Sequence, residues 1–327
     1  MTTPVATDNK ANDRDHSLAG ASFTNSRQRS LTRDAMIRLR RNKAAVTGLA
    51  IIIIVLLLAI LAPLLAPYNP NKQDLLQTYA TPSRSHLLGT DILGRDILSR
   101  LLFGARVSMS VALVTTTLAV LIGLPIGLAS GFIGGKTDFI IMRIVDAFYA
   151  FPDLLFIIII STYLNAALPH ATSGFLLVLK HVNDFAGGLA GVFIALALFG
   201  WLGLSRVVRG QVLSIRNREY VTSAESIGAG KLRIMFLHIL PNSLAPIIIL
   251  VALLLPQFII AEAGLSFIGL GVQPPNASWG IMISEGVPAL RAHPHVMLVP
   301  GITLSITLLA FNFFGDGLRD ALDPSMH

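Results

Sequence analysis

The chain contains no cysteine. Disulfides, thiol catalysis and thiolate metal sites are therefore excluded, while compartment stays open because either face of a bilayer can do without them. Charge is also scarce. Only 13% of the 327 residues are Asp, Glu, Lys or Arg, against about 25% in soluble domains, which argues against a globular cytosolic enzyme. Neither a Ser/His/Asp arrangement nor a pair of carboxylates is readable, so the residues offer no catalytic constellation. A basic-aromatic patch is missing too, and no nucleic acid is expected as a partner.

What fills the chain is apolar: 53% hydrophobic residues and a mean hydropathy of +0.69. Runs at 44–66, 107–133, 185–205, 242–261 and 296–315 each hold 20 or more residues without a charge. About 20 residues rising roughly 1.5 Å each cross a hydrocarbon core of about 30 Å. A sixth run, 139–168, carries Arg143, Asp146 and Asp153 in its first half. The expectation is an all-α, polytopic membrane protein with six spans, over about 44–66, 107–133, 139–168, 185–205, 242–263 and 296–315. Residues 1–30 are polar and lack an apolar core, so they read as a disordered cytoplasmic tail ahead of a transmembrane domain at 31–327. The first apolar run follows Lys43 and is longer than a signal h-region, so it reads as an anchor.

The net charge of +7 has a topological meaning. With the N-terminus inside, the cytoplasmic segments carry 18 of the 25 Lys and Arg, with Arg38, Arg40, Arg41 and Lys43 just before the first span. Lys and Arg excess marks the cytoplasmic flank, which places both termini in the cytoplasm.

Between the fourth and fifth spans lies a polar segment, 206–241. Arg216, Arg218, Glu219, Glu225, Lys231 and Arg233 sit in or beside its core, and each would cost about 2.5–3.5 kcal/mol at mid-bilayer. The segment must lie outside the membrane. Its composition predicts two short helices broken at Gly228-Ala229-Gly230, with Gly228 as a left-handed cap. Small residues at Ser223, Ala224 and Ala229 suit a partner's groove; the alternative is an amphipathic helix resting on lipid.

Other signals are local. Asp91, Arg95, Asp96 and Arg100 at i,i+4 spacing predict a short amphipathic surface helix at the outer interface. Gly123, Gly127, Gly131 and Gly135 recur every four residues, which lets another helix approach closely. Pro125 predicts a kink nearby. Gly134-Gly135-Lys136-Thr137 is no phosphate loop, because Ser130 stands where glycine is needed and an apolar helix replaces the strand. Asp146 is expected to pair with Arg143, and Asp153 to lie near a water-filled vestibule or the interface. Glu262 should lie in or near the membrane. A carboxylate there lines a pathway or gate, or holds two helices together; both readings stay open. His293 and His295 are explained by loop polarity.

Gly89, Thr90, Asp91, Gly94, Arg95 and Asp96, followed by Ser99 and Arg100, resemble the Gly-Thr-Asp-x-x-Gly-Arg-Asp segment of the C-type permease subunit of dipeptide and oligopeptide ABC importers. The polar loop resembles the signature cytoplasmic loop of such permeases at Tyr220, Val221, Gly228, Ala229, His238, Leu240 and Pro241. Their Glu-Ala-Ala triplet falls on Thr222, Ser223 and Ala224, where only the last matches; Glu225 is one turn on from Val221. The stretch from Glu262 to Gly271, Glu-Ala-x-Leu-Ser-Phe-x-Gly-Leu-Gly, is similar as well.

The resemblance covers about 31–327 and implies a type I ABC importer permease fold. It implies ATPase coupling through the 206–241 loop, a homologous second permease, two cytoplasmic ATPase subunits that hold ATP and Mg, and an extracytoplasmic solute-binding protein. This chain would carry no cofactor, would not be an enzyme, and would sit in a bacterial cytoplasmic (inner) membrane. Peptides are the expected solute, with a nickel chelate or glutathione as alternatives. A stand-alone secondary carrier would need its own ion-coupling carboxylates and broken helices, and Glu262 alone is thin support for one.

Overall fold

The computed structural model describes residues 31–322, and the expected tail at 1–30 lies outside them. In chain order its helices are α1 (Leu31–Arg41), α2 (Lys43–Ile60), α3 (Ile97–Ile133), α4 (Gly135–Tyr149), α5 (Asp153–Ala167), α6 (Gly174–Phe185), α7 (Ala190–Arg216), α8 (Glu219–Ser226), α9 (Lys231–Phe267), α10 (Trp279–Gly286) and α11 (His295–Leu322). Six are long and apolar enough to cross a membrane: α2, α3, α5 with its 3₁₀ extension to His170, α7, α9 and α11. The described residues hold no strand, only one antiparallel bridge between Thr90 and Asp96.

Successive spans run in opposite directions, so the connections gather at two ends. Segments 61–96, 171–189 and 268–294 share one end; α4 and α8 share the other with the α1–α2 junction.

The centre of the bundle is the α3–α7 pair, and the glycine stripe explains why. A Cβ on Gly123 would meet the Trp201 carbonyl oxygen at 2.8 Å, one on Gly127 the Ser205 carbonyl oxygen at 2.6 Å, and one on Gly131 the Val212 Cβ at 2.7 Å. Hydrogen is the only side chain that fits. Gly135 leaves the stripe, with nothing within 4 Å. A second close contact joins the first and last spans, where a Cβ on Gly48 would lie 2.5 Å from the Ala310 carbonyl oxygen.

Span boundaries differ from the sequence reading because a charge ends a hydropathy window without ending a helix. α3 starts at Ile97 and α7 runs on to Arg216. Arg206 donates to Asp146 at 2.6 Å and lies 4.0 Å from the Tyr149 ring centre, and Arg209 donates to Asp138 at 2.7 Å. Asp146 therefore pairs across helices, not with Arg143, whose guanidinium covers the Phe139 ring. The 139–168 run is two helices, not one. Pro152 disfavours helical backbone at Phe151, and α4 ends before it while α5 starts after it. α6 lies where the sequence suggested only a loop.

Candidate functional site

The polar loop contracts to 217–230 around one short helix, α8. Val221 and Ala224 point into a cluster with Val212 and Ile215 of α7, Ile234 and Ile239 of α9 and Leu128 of α3. Ala224 thus seats α8 on the chain's own bundle, a correction to its expected place against a partner. Tyr220, Thr222, Ser223, Glu225 and Ser226 face outward, and Ile227 is 87% exposed at the tip.

Gly228 has φ +82°, as expected of a cap. Its N–H donates to the Glu225 carbonyl at 2.9 Å and the Ala229 N–H to the Ala224 carbonyl at 3.0 Å. That pair of bonds is the Schellman arrangement, which satisfies carbonyls the helix end leaves open.

The expected second short helix does not stand apart. Lys231 opens α9, which continues to Phe267. His238 belongs to a π-turn, Met235–Ile239, and Leu240 and Pro241 follow it, the Leu240 N–H reaching back to the Met235 carbonyl. Proline lacks an N–H and clashes with the carbonyl four residues earlier, and the wider turn relieves both problems. The Asn242 side chain donates to the His238 carbonyl at 2.6 Å. Leu232 and Phe236, early in α9, are exposed apolar residues too.

At the opposite end, residues 86–100 form a buried knot, not an amphipathic surface helix. Asp91, Asp96 and Arg100 are 2%, 2% and 3% exposed. Asp91 accepts from the Leu93 and Arg95 backbone N–H groups at 2.8 and 3.0 Å, and from Arg95 Nε at 2.7 Å. Arg100 bonds both Asp91 and Glu285, and Arg95 Nη2 donates to Glu285 at 2.8 Å.

Asp96 does not pair with Arg100; it caps α3 by accepting from the Ser99 N–H at 2.8 Å and meets His86 at 2.9 Å. Gly89 and Gly94 have φ +82° and +70°. Thr90 ties the strand-like turn back, donating to Gln77 and accepting from the Ala80 N–H at 2.8 Å. Sequence reasoning missed Glu285 and His86. Glu285 is 185 residues from Arg100, and no local spacing joins them.

Glu262 is fully buried near the knot end of α9. It accepts from Ser108 of α3 at 3.0 Å and from Ser266 at 2.7 Å. Asp153 is exposed at the start of α5, where its carboxylate accepts from the Leu154 N–H at 2.7 Å. The two acids do not meet. Gly134 and Gly135 turn the corner from α3 into α4, and Lys136 is exposed beyond them.

The family model described as binding-protein-dependent transport system inner membrane component matches residues 123–327. A second, N-terminal TM domain of oligopeptide transport permease C, matches 30–82. The oligopeptide transport system permease protein OppC of Bacillus subtilis is 43% identical over 91% of this chain and 90% of its own length. The dipeptide transport system permease protein DppC of that organism is 39% identical over 91% and 87%. The glutathione transport system permease protein GsiD of Pectobacterium atrosepticum is 38% identical over 88% and 89%. Among solved structures, the inward-facing MetNI methionine ABC transporter aligns with a TM-score of 0.51 and 16% identity, over 68% of this chain and 96% of that one, a likeness of fold alone.

Proposed function

The chain belongs to the family of binding-protein-dependent transport system inner membrane components, and from that premise we propose that it forms half of the translocation pathway of an ATP-driven importer of di- or oligopeptides. The relatives that favour peptides are the OppC and DppC permeases. Similarity to a glutathione permease favours a second, neighbouring reading, since glutathione is itself a short peptide.

The observation that carries the coupling role is α8. It is an exposed helix between two spans, clamped inward by Val221 and Ala224 and capped by a left-handed Gly228. Tyr220, Thr222, Ser223, Glu225 and Ile227 offer the outward face to an ATPase subunit, and Ala229 leads from that face into α9, whose early turns carry His238 and Pro241. A homologous permease completes the pathway, two ATPase subunits bind ATP and Mg at the α8 end, and a solute-binding protein docks at the knot end. Closure of the ATPases on ATP displaces α8, and α7 and α9 carry the displacement as rods. ATP binding acts here as a ligand does on any two-state protein, by favouring one state over the other. Chemistry stays with the ATPases.

Orientation follows the basic residues, with the α8 end and both termini in the cytoplasm. With no native cysteine, single cysteines at 85, 180 and 291 should label from outside intact cells, and those at 136, 217 and 320 only after permeabilisation. Outside labelling at 217 would reject this topology.

The function itself is tested by purifying the chain with whatever it retains and identifying bound solute by mass spectrometry. Two ATPase chains, a second permease and peptide on the binding protein are expected. A chain that transports without any ATPase would return the reading to a secondary carrier.

A further inference from the structure

A continuous set of contacts links the two ends of the molecule. α9 begins next to α8 and continues through its π-turn to Phe267. Near its far end, Glu262 accepts from Ser108 at 3.0 Å and from Ser266 at 2.7 Å, and Ser278 faces the same carboxylate. The Ser266 hydroxyl also accepts from the Val272 N–H at 3.1 Å, which folds the segment after α9 back onto it. Ser278 caps α10, accepting from the Ile281 N–H at 3.3 Å. α10 then rests directly on α9, since a Cβ on Gly280 would lie 2.6 Å from the Ala263 carbonyl oxygen. Glu285 on α10 closes the knot with Arg95 and Arg100.

A buried carboxylate is a costly way to fill this gap, and a leucine would pack it at lower desolvation cost. What the acid adds is direction: bonds to hydroxyls on separate segments fix the angle of α10 against α9, which apolar contact leaves free to slide.

We propose that Glu262 is a positioning residue for energy coupling, locking α10 to α9 so that movement of α8 reaches the Arg95–Arg100–Glu285 knot. This rests on the importer assembly proposed above, with the binding protein docking at the knot end. Coupling is a property of both ends at once, and the test reads them together.

The experiment uses the complete complex in lipid vesicles, with ATP hydrolysis measured with and without solute-loaded binding protein. Glu262→Leu should leave basal hydrolysis in place and cut stimulation by the binding protein at least about fivefold, the low end of ordinary coupling between sites. Glu262→Gln, which keeps hydrogen-bonding capacity, should retain most of the stimulation. If Glu262→Leu does not assemble, Ser278→Ala removes the cap and its contact with the carboxylate, and carries the same expectation. Full stimulation in Glu262→Leu, or in Ser278→Ala where that variant is needed, overturns the proposal. So does a proportional fall of basal and stimulated hydrolysis with a lowered melting temperature, which would mark a purely structural bond. A wild-type chain that holds no ATPase subunits fails differently: it overturns the importer reading and this inference with it.

Discussion

Gly228 and Gly94 share a left-handed backbone, with φ +82° and +70°, in opposite surroundings. A Cβ on Gly94 would run into the Asp74 carbonyl oxygen at 1.8 Å, whereas Gly228 has nothing within 4 Å. The same contrast holds for everything around them. At the knot, carboxylates and guanidinium groups are buried and bonded to one another. At α8, two small apolar side chains face inward and polar or apolar groups stand in the open. The knot is completed by its own chain; the outer face of α8 stays exposed among the described residues. Exposure, not the presence of charge, is what differs between the two regions.

The largest break in that contrast should come from Arg100→Leu. It leaves Asp91 and Glu285 with Arg95 as their one remaining shared cation, and removing one member of a buried ionic cluster costs about 3–5 kcal/mol. Melting of the detergent-solubilised chain should fall sharply. A shift no larger than that of a surface variant would mean that the knot is not closed in solution.

Gly94→Ala comes next. Collision with the Asp74 backbone adds about 1–3 kcal/mol of overpacking to about 1 kcal/mol of left-handed strain. Gly228→Val, with open space around it, should cost only the strain, about 1 kcal/mol or slightly more. Membrane insertion should remain normal, yet ATPase attachment should weaken and uptake should be lost. Equal melting losses at the two glycines would erase the distinction drawn here. Wild-type uptake in Gly228→Val would show that α8 is not the coupling element.

Ile227→Ser sharpens the comparison further. At 87% exposure it should change stability by less than about 0.5 kcal/mol while reducing co-purification of the ATPases. Unchanged co-purification would remove Ile227 from the contact.

An effect on stability alone, with no loss of uptake, is expected at the half-buried Asp138. Its hydrogen bond from Arg209 holds the carboxyl below the usual carboxylate range, against the opposing pull of burial. A depressed folded-state value means that the bond contributes above the unfolded-state value and is lost as pH falls through the folded one. Asp138→Asn should therefore cost about 1 kcal/mol or less near neutral pH, and the gap to wild type should close only in acid below the ordinary value of 3.8. A gap that changes between pH 6 and 8 would point to another group.

Spans were legible because uncharged runs of sufficient length have few alternatives in a folded chain. Their ends were not, since Arg100, Arg206 and Arg209 continue helices by finding partners on other segments. Gly228 was legible as a cap because the surrounding bonds are all within a few residues. The π-turn was not, although Pro241 after a helical stretch was its local signal. The knot's residues stood out by their spacing, but their burial did not, because it depends on Glu285 from a distant segment. Which face of α8 turns inward was likewise settled by neighbours on α3, α7 and α9.

The 185 residues between Arg100 and Glu285 also set a clock. At roughly 5–20 residues per second of synthesis, Glu285 leaves the ribosome about 10–40 seconds after Arg100. For that interval Asp91 has been made but Glu285, the other carboxylate that binds both arginines in the finished fold, has not. α8 needs no such wait, since its cap closes within its own ten residues or so. The order of assembly is thus written into the chain: the α8 cap can close before the knot can be tied. A chain truncated ahead of Glu285 would be left with its outer charges exposed to quality-control proteases.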